Sequence, residues 1–464
     1  MKSHTVHFVV ASLAVALASG CGPAAPDVAS PTAKDDMPAR LARFQTVEDD
    51  VLRNLAAIDR RVARRARIEP REQDLRQLTM GAMLAEDTSL AVVDGAIDPF
   101  SFEARARGLA AVKAKLASAP KELPGAAAGT MSAPALEREL LGRLVDEELV
   151  RLDEERALPR SASALIRAIV ETWQIPASQQ HAAERDRWLS RRLREVSASV
   201  SSPGASALDV VRARELDDAL DALEHAAESS GLTHSTAELV KLRELLEGLA
   251  VRPAAGAASD WTSVSRRLET HLGFALAPDV LDRRLDTAER ALREAATHAA
   301  DAAHVDSDAL SARAAPMVFA TGACAVAVPG SPVRSMSPSP ERAAACRLRQ
   351  SVDSANDDAA ARAYALVAMH DHVIVAQWAL DVARGSATIA QTTGKHRPLS
   401  RPTPDVAARW ERIALARPTA AIGGGIAAEV LYGTGDAQAR AHAWSELGEV
   451  PLDVAERELS RAKK

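Results

Sequence analysis

Between Pro38 and Val62 the apolar residues Leu41, Phe44, Val51, Leu55, Ile58 and Val62 return at steps of three, four and seven. On a helix of about 3.6 residues per turn these positions form one face, and the residues between them are mostly charged. The same period recurs at roughly 72–94, 99–118, 134–156, 161–174, 179–199, 207–228, 235–250, 259–273, 277–304, 340–384, 404–416 and 435–461, with some of these segments expected to break in two. A chain that repeats an apolar stripe in this way buries it only by packing helix against helix. The expected fold is therefore all-α, a multi-helix bundle or irregular helical array. One stretch departs from the pattern: MVFATGACAVAV, residues 317–328, is short and rich in β-branched residues, and predicts a strand or hairpin. Proline- and glycine-rich breaks near 120–134, 201–206, 252–260 and 391–405 suggest helical regions over 39–200, 207–316 and 317–464.

The first 38 residues obey other rules. MKSHTVH carries one lysine and no acid, and the next 13 residues, Phe8 to Gly20, carry no charge. A membrane span needs about 20 residues; a secretory signal needs a shorter apolar core of about 7–15 behind a positive start. Residues 1–20 are thus expected to be a signal peptide. Leu17-Ala18-Ser19-Gly20-Cys21 resembles the lipobox of bacterial lipoprotein precursors, with Leu17 one place earlier than the motif's usual aliphatic residue. The resemblance implies cleavage before Cys21, acyl chains on that cysteine, and an address on the bacterial cell envelope. Residues 21–38 hold few bulky apolar groups and several prolines, and suit a flexible tether. Ala16-Leu17-Ala18 leaves a second cut open, which would release a soluble secreted or periplasmic chain from Ser19.

With Cys21 used by lipid, Cys324 and Cys346 remain as an even pair, and an exported chain is expected to join them in a disulfide. Hydrophobic residues make up 47% and charged residues 26%, enough for a sizeable core. The net charge of −6 gives no basic field for nucleic acid, and the 3% aromatic content provides few stacking platforms.

Several constellations could carry chemistry. His370, Asp371 and His372 lie inside the apolar stretch Tyr364–Leu380. His-x-His shares one face on a strand, but on a helix the two rings point about 200° apart. The surrounding period is helical, so His370 is expected as a hydrogen-bonded core histidine beside Val367, Ile374 and Trp378. Asp371 could orient either imidazole as a metal ligand or general base. His298, Asp301 and His304, with Asp306 and Asp308 after them, could share a helix face, and read first as a solvated one. Gly423-Gly424-Gly425-Ile426-Ala427-Ala428 fits the glycine spacing of a dinucleotide loop, but Arg417-Pro418-Thr419 stands where a strand is needed. A hinge or close helix contact is the expectation there.

Arg60, Arg61, Arg64, Arg65 and Arg67 form one basic run, and Arg185, Arg187, Arg191, Arg192 and Arg194 another. Guanidinium groups grip phosphate well, but acids such as Asp59, Glu69, Glu184 and Glu195 interleave both runs, as on a solvated helix face. Trp444-Ser445-Glu446-Leu447-Gly448 resembles the opening of a tetratricopeptide repeat over five residues only. Pro451 then stands at an aromatic position, so the tryptophan is expected simply to pack a terminal helix.

No Gly-x-Ser-x-Gly, His-Glu-x-x-His or Cys-x-x-Cys occurs. The sequence thus favours an envelope-anchored lipoprotein acting as a helical binding or structural module. Its expected partners are the membrane, through the lipid, and an envelope protein or anionic glycan; no cofactor and no nucleic acid are called for. A hydrolase or metalloenzyme using His370, Asp371 and His372 is the alternative.

Overall fold

The structure, a computed structural model, describes residues 37–68, 92–93, 96–97, 102–120, 123, 133–157, 162–173, 182–201, 217–248, 261–320, 324, 327–355, 358–433 and 436–461. The fold is all-α. The first helices are α1 (Met37–Ile58), α2 (Arg60–Ala66), α3 (Phe102–Ala117) and α4 (Ala133–Ala157). Met37 and Pro38, assigned to the tether from sequence, are already helical. Of the helix expected over 72–94, only Val92–Val93 is described, and it is extended: it pairs antiparallel with Ala96–Ile97, the one strand pairing among the described residues.

Next come α5 (Ala162–Trp173), α6 (Ala182–Val200), α7 (Asp217–Ser229) and α8 (Thr233–Gly248). Then α9 (Trp261–Arg267) runs into a π-helical turn, Leu268–Leu272, that ends at Gly273 with φ 82°. The remainder is α10 (Pro278–Ala302), α11 (Ser307–Arg313), α12 (Ala343–Asp353), α13 (Ala359–Ala383), α14 (Ile389–Lys395), α15 (Pro404–Ala416), α16 (Pro418–Tyr432), α17 (Ala437–Leu447) and α18 (Leu452–Arg461).

Local chemistry accounts for many of these ends. Asp59 caps α2 by accepting from the Arg61 amide at 2.8 Å. Thr388 and Gln391 close a capping box on α14. Pro278, Pro404 and Pro418 each sit in a first turn, where their missing N–H costs nothing. On α10 the buried residues Leu281, Leu285, Ala288, Leu292, Ala296 and Ala300 form a single stripe. By contrast α13 is buried continuously from Val367 to Ala383 and lies between α10 and α16. A helix apolar all round belongs at the centre of a bundle. No helix among the described residues is long and apolar enough to cross a membrane.

Two cores result. The larger joins α1–α4 to the chain from α9 onward, from Phe44 through Leu152 and Val264 through Leu459. The smaller belongs to α5–α8 alone, with Ile166, Leu189, Leu193, Leu220, Leu239 and Leu242 among its members. This grouping differs from the three-region division read at the breaks: α5–α8 are an insertion between two halves of one core. Asp59 ties the first half together, since its buried carboxylate meets Arg61 at 3.0 Å, Arg105 at 3.4 Å and Arg151 at 2.5 Å.

The strand expected at 317–328 does not form among the described residues of that stretch. Pro316 lies in a 3-10 turn, Ala315–Met317, and Phe319 adopts φ 52°, which turns the chain instead of extending it. Beyond the turn the chain forms a loop pinned at its edges. Ser337 N–H donates to Arg65 O at 2.8 Å, and Glu449 N–H donates to Arg334 O at 2.8 Å. The disulfide Cys324–Cys346 closes this loop, with Cα atoms 6.2 Å apart and both residues buried. Cys346 sits in the first turn of α12.

Candidate functional site

Cys21 and both candidate cleavage points lie outside the described residues, as does Glu69. The other constellations can be placed.

His370, Asp371 and His372 occupy the middle of α13 with at most 1% of each exposed. Helical geometry sends the two rings to different neighbours, as expected. His370 Nδ1 lies 2.9 Å from Asp371 Oδ1, and Nε2 lies 3.4 Å from Glu289 Oε1 on α10. Asp371 also accepts from the backbone amides of Leu399 at 2.8 Å and Ser400 at 3.1 Å. The aspartate therefore fastens the chain leaving α14 onto the central helix. His372 points away, edge-on to Phe319 with ring centroids 4.6 Å apart, and neither ring nitrogen has a hydrogen-bond partner among the described residues. Burial, then Arg347, pushes its pKa down to about 3, so the ring is neutral. The two histidines do not converge, and no group of three or more metal-ligating side chains occurs among the described residues.

Burial alone would lower the pKa of His370, but hydrogen bonds to Asp371 and Glu289 outweigh it and hold the imidazole above its ordinary value. Glu289 responds in kind: its hydrogen bond to His370 brings it down to about 2, with Arg293 also beside it. A histidine whose folded pKa is raised contributes stability that is complete below its unfolded pKa, about 6.5, and is lost as pH rises through the folded value. His370→Ala is expected to lower unfolding free energy by about 1–3 kcal/mol at pH 6 and by visibly less at pH 9. Urea unfolding at the two pH values checks this; equal losses would show that no imidazolium is involved.

The other histidine set is a solvated face. His298, Asp301 and His304 are exposed, and Asp306 is occupied in capping α11 through the Ala309 amide at 2.7 Å. The three glycines at 423–425 lie inside α16, so they form no phosphate loop. They allow close helix contact: a Cβ on Gly424 would come within 2.6 Å of His372 Nδ1, and one on Gly425 would come closer still to Ala376 Cβ. Trp444 packs the terminal helices as expected, with the Arg349 guanidinium 5.8 Å over its ring.

Sequence reasoning missed a buried ionic network. Arg342, beside the start of α12, lies 2.7 Å from Glu147 of α4 and 2.9 Å from Glu449. Arg65 of α2 reaches Glu147 at 3.5 Å, and His271 of the π-helical turn stands 3.8 Å from Glu147 and 3.9 Å from Glu341. A void of about 20 Å³, the space of one water, lies among Arg65, Glu147, Arg342 and Glu449. Burial would raise the Glu147 carboxyl, but Arg342, His271 and Arg65 hold it far below the usual carboxylate range. Nearby, Glu48 of α1 is driven up to about 7 by burial, then by Glu137 and Asp49. No local motif announces these groups, because their partners lie on distant segments.

The two arginine runs have separate fates. In the first, Arg65 is drawn into the buried network, and Arg61 pairs with Asp59. In the second, Arg187, Arg191 and Arg194 are exposed on α6 and line an open groove of about 930 Å³ against His234, Glu238 and Lys241 of α8. Asp186 sets the two helices in register. Its carboxylate accepts from the Ser235 amide at 2.8 Å and the Ser235 hydroxyl at 2.6 Å, at the start of α8. No family model, curated protein or solved structure matches the chain.

Proposed function

We propose that this chain is an exported bacterial envelope lipoprotein, anchored by acyl chains on Cys21, whose helical body serves as a binding or structural module. The observation that carries the reading is the buried Cys324–Cys346 disulfide. Such bonds form and persist in oxidising compartments, and a signal-like apolar run ahead of a cysteine supplies the route there. The first described helix begins at Met37, which leaves a proline-rich segment between Cys21 and the body as a spacer. The groove between α6 and α8 offers an open surface for a partner. No observation favours the alternative of hydrolytic or metal chemistry at His370, Asp371 and His372, whose polar atoms are engaged in holding helices or enclosed by Phe319 and α16.

Several acyl chains anchor stably where one is marginal. The wild-type chain is therefore expected in the membrane fraction with a mass increased by lipid, and Cys21→Ala is expected to leave an uncleaved or soluble chain. Intact mass showing an unmodified N-terminus at Ser19 would refute the anchor.

A further inference from the structure

We infer that the groove between α6 and α8 is a binding site for a linear anionic glycan, a chain of sugars bearing carboxylate groups. This deepens the reading of the chain as an envelope binding module and rests on it for where such a ligand is met.

The arginines carry the inference. Arg187, Arg191 and Arg194 come at steps of four and three on α6, so they share a face and span about 10 Å along it. None of the three is bonded to a carboxylate among the described residues. Arg187 Nε donates to the Ala183 carbonyl at 3.3 Å, and Arg194 donates to the Ser190 carbonyl and hydroxyl, each at 3.2 Å. These contacts aim the stems and leave guanidinium N–H groups over for a ligand. The acids of the same lining have cations of their own: Glu195 pairs with Arg192 at 2.8 Å, and Glu238 with Lys241 at 3.3 Å. The charges left over in the groove are therefore a row of cations.

Arginine matches carboxylate geometry with two parallel hydrogen bonds. A row of three, spaced at roughly sugar-sized intervals along a cleft, suits a repeating chain of carboxylates better than one isolated anion. Shape separates the glycan from a bilayer: a flat headgroup surface meets protruding side chains, whereas this lining is concave between two helices. Chemistry separates it from nucleic acid, because among the described residues no Phe, Tyr or Trp lines the groove and His234 is the one ring there to stack a base. His234 adds a ring with hydrogen-bonding nitrogens of the kind that hydroxyls of a sugar engage.

The test uses the full chain, purified in non-ionic detergent, titrated with polygalacturonate and with neutral dextran. Polygalacturonate is expected to bind, more weakly as salt rises, and dextran not to bind. Replacing Arg187, Arg191 and Arg194 together with glutamine should weaken polygalacturonate about 10- to 100-fold, as three partly solvated ion pairs would. A control of equal charge change on the larger core, Arg283→Gln, Arg290→Gln and Lys113→Gln, should bind like wild type. If the triple variant loses its helical melting transition, the single Arg191→Glu change replaces it and should cost at least about 10-fold. Four outcomes overturn the proposal: no binding, equal loss in the control, an unchanged affinity in the groove variants, or tighter arginine-dependent binding to phosphatidylglycerol vesicles or oligothymidylate than to polygalacturonate. Because binding is read on purified chain, its failure leaves the Cys21 fractionation result standing, and the reverse.

Discussion

Replacing Glu147 with alanine is expected to remove about 3–5 kcal/mol of unfolding free energy, the usual cost of deleting one partner from a buried ion pair. The reason is what stays behind. Arg342 is 6% exposed and would keep Glu449, the charge of Glu341 and the His271 carbonyl, which it reaches at 3.3 Å; Arg65 would lose its carboxylate at 3.5 Å. Two guanidinium groups would then share too little negative charge away from water. If that account is correct, adding Arg342→Met to Glu147→Ala costs less than the sum of the single changes, by at least about 1 kcal/mol. Because the Glu147 carboxyl is held low in the folded state, its contribution is present above the unfolded pKa, about 4.3, and fades as pH falls below that. Urea unfolding at pH 7 reads the energies. A loss under about 1 kcal/mol, or strict additivity, would mean that the network is ornamental to stability.

Gly425→Ala is expected to destabilise by about 3 kcal/mol, although alanine is the better helix former by about 1 kcal/mol. The new methyl would overlap Ala376 Cβ and lie 3.2 Å from Leu285 Cδ2 and 3.4 Å from the His372 carbonyl oxygen. Ala376 cannot turn aside, since its Cβ is fixed to the backbone, so α13 and α16 would have to separate. Ala376→Gly in the same chain should recover at least half of the loss. Thermal unfolding of the three variants decides it: a single Gly425→Ala variant as stable as wild type would show that the helices are not in such close contact.

These two sites also mark where the sequence was legible and where it was not. The helix over 404–416 could be read to its ends, because Thr403-Pro404-Asp405 starts it and Trp410 lies on its buried face. The neighbouring helix, Pro418–Tyr432, was not read as one. Three successive glycines carry no helical preference, and only the contact with α13 makes them the right choice. At 317–328 β-branched residues suggested a strand, but local propensity yielded to Pro316, to the turn at Phe319 and to the need to bring Cys324 to Cys346. The cysteine pairing itself was legible from the cysteine count and the expectation of export. The divergence of His370 and His372 came from helical period, while Glu289, which joins Asp371 in raising the His370 pKa, lies 81 residues away and left no trace in the local pattern. The arginine runs looked alike in sequence; tertiary packing drew Arg65 of one into the ionic network and left Arg187, Arg191 and Arg194 of the other in an open groove.

The larger core has an order of assembly written into it. Arg143 of α4 holds Asp453 of α18 with two bonds, 2.8 and 2.6 Å, across 310 residues of chain, and Glu147 meets Arg342 across 195. A polypeptide made or delivered N-terminus first exposes α1–α4 long before the helices that cover them exist. The four helices of the insertion, whose core is all their own, can close as soon as Gly248 is out. The first half can begin on its own helix contacts and on the Asp59 ion pairs, but the face it turns to the later helices is covered only once α18 has arrived.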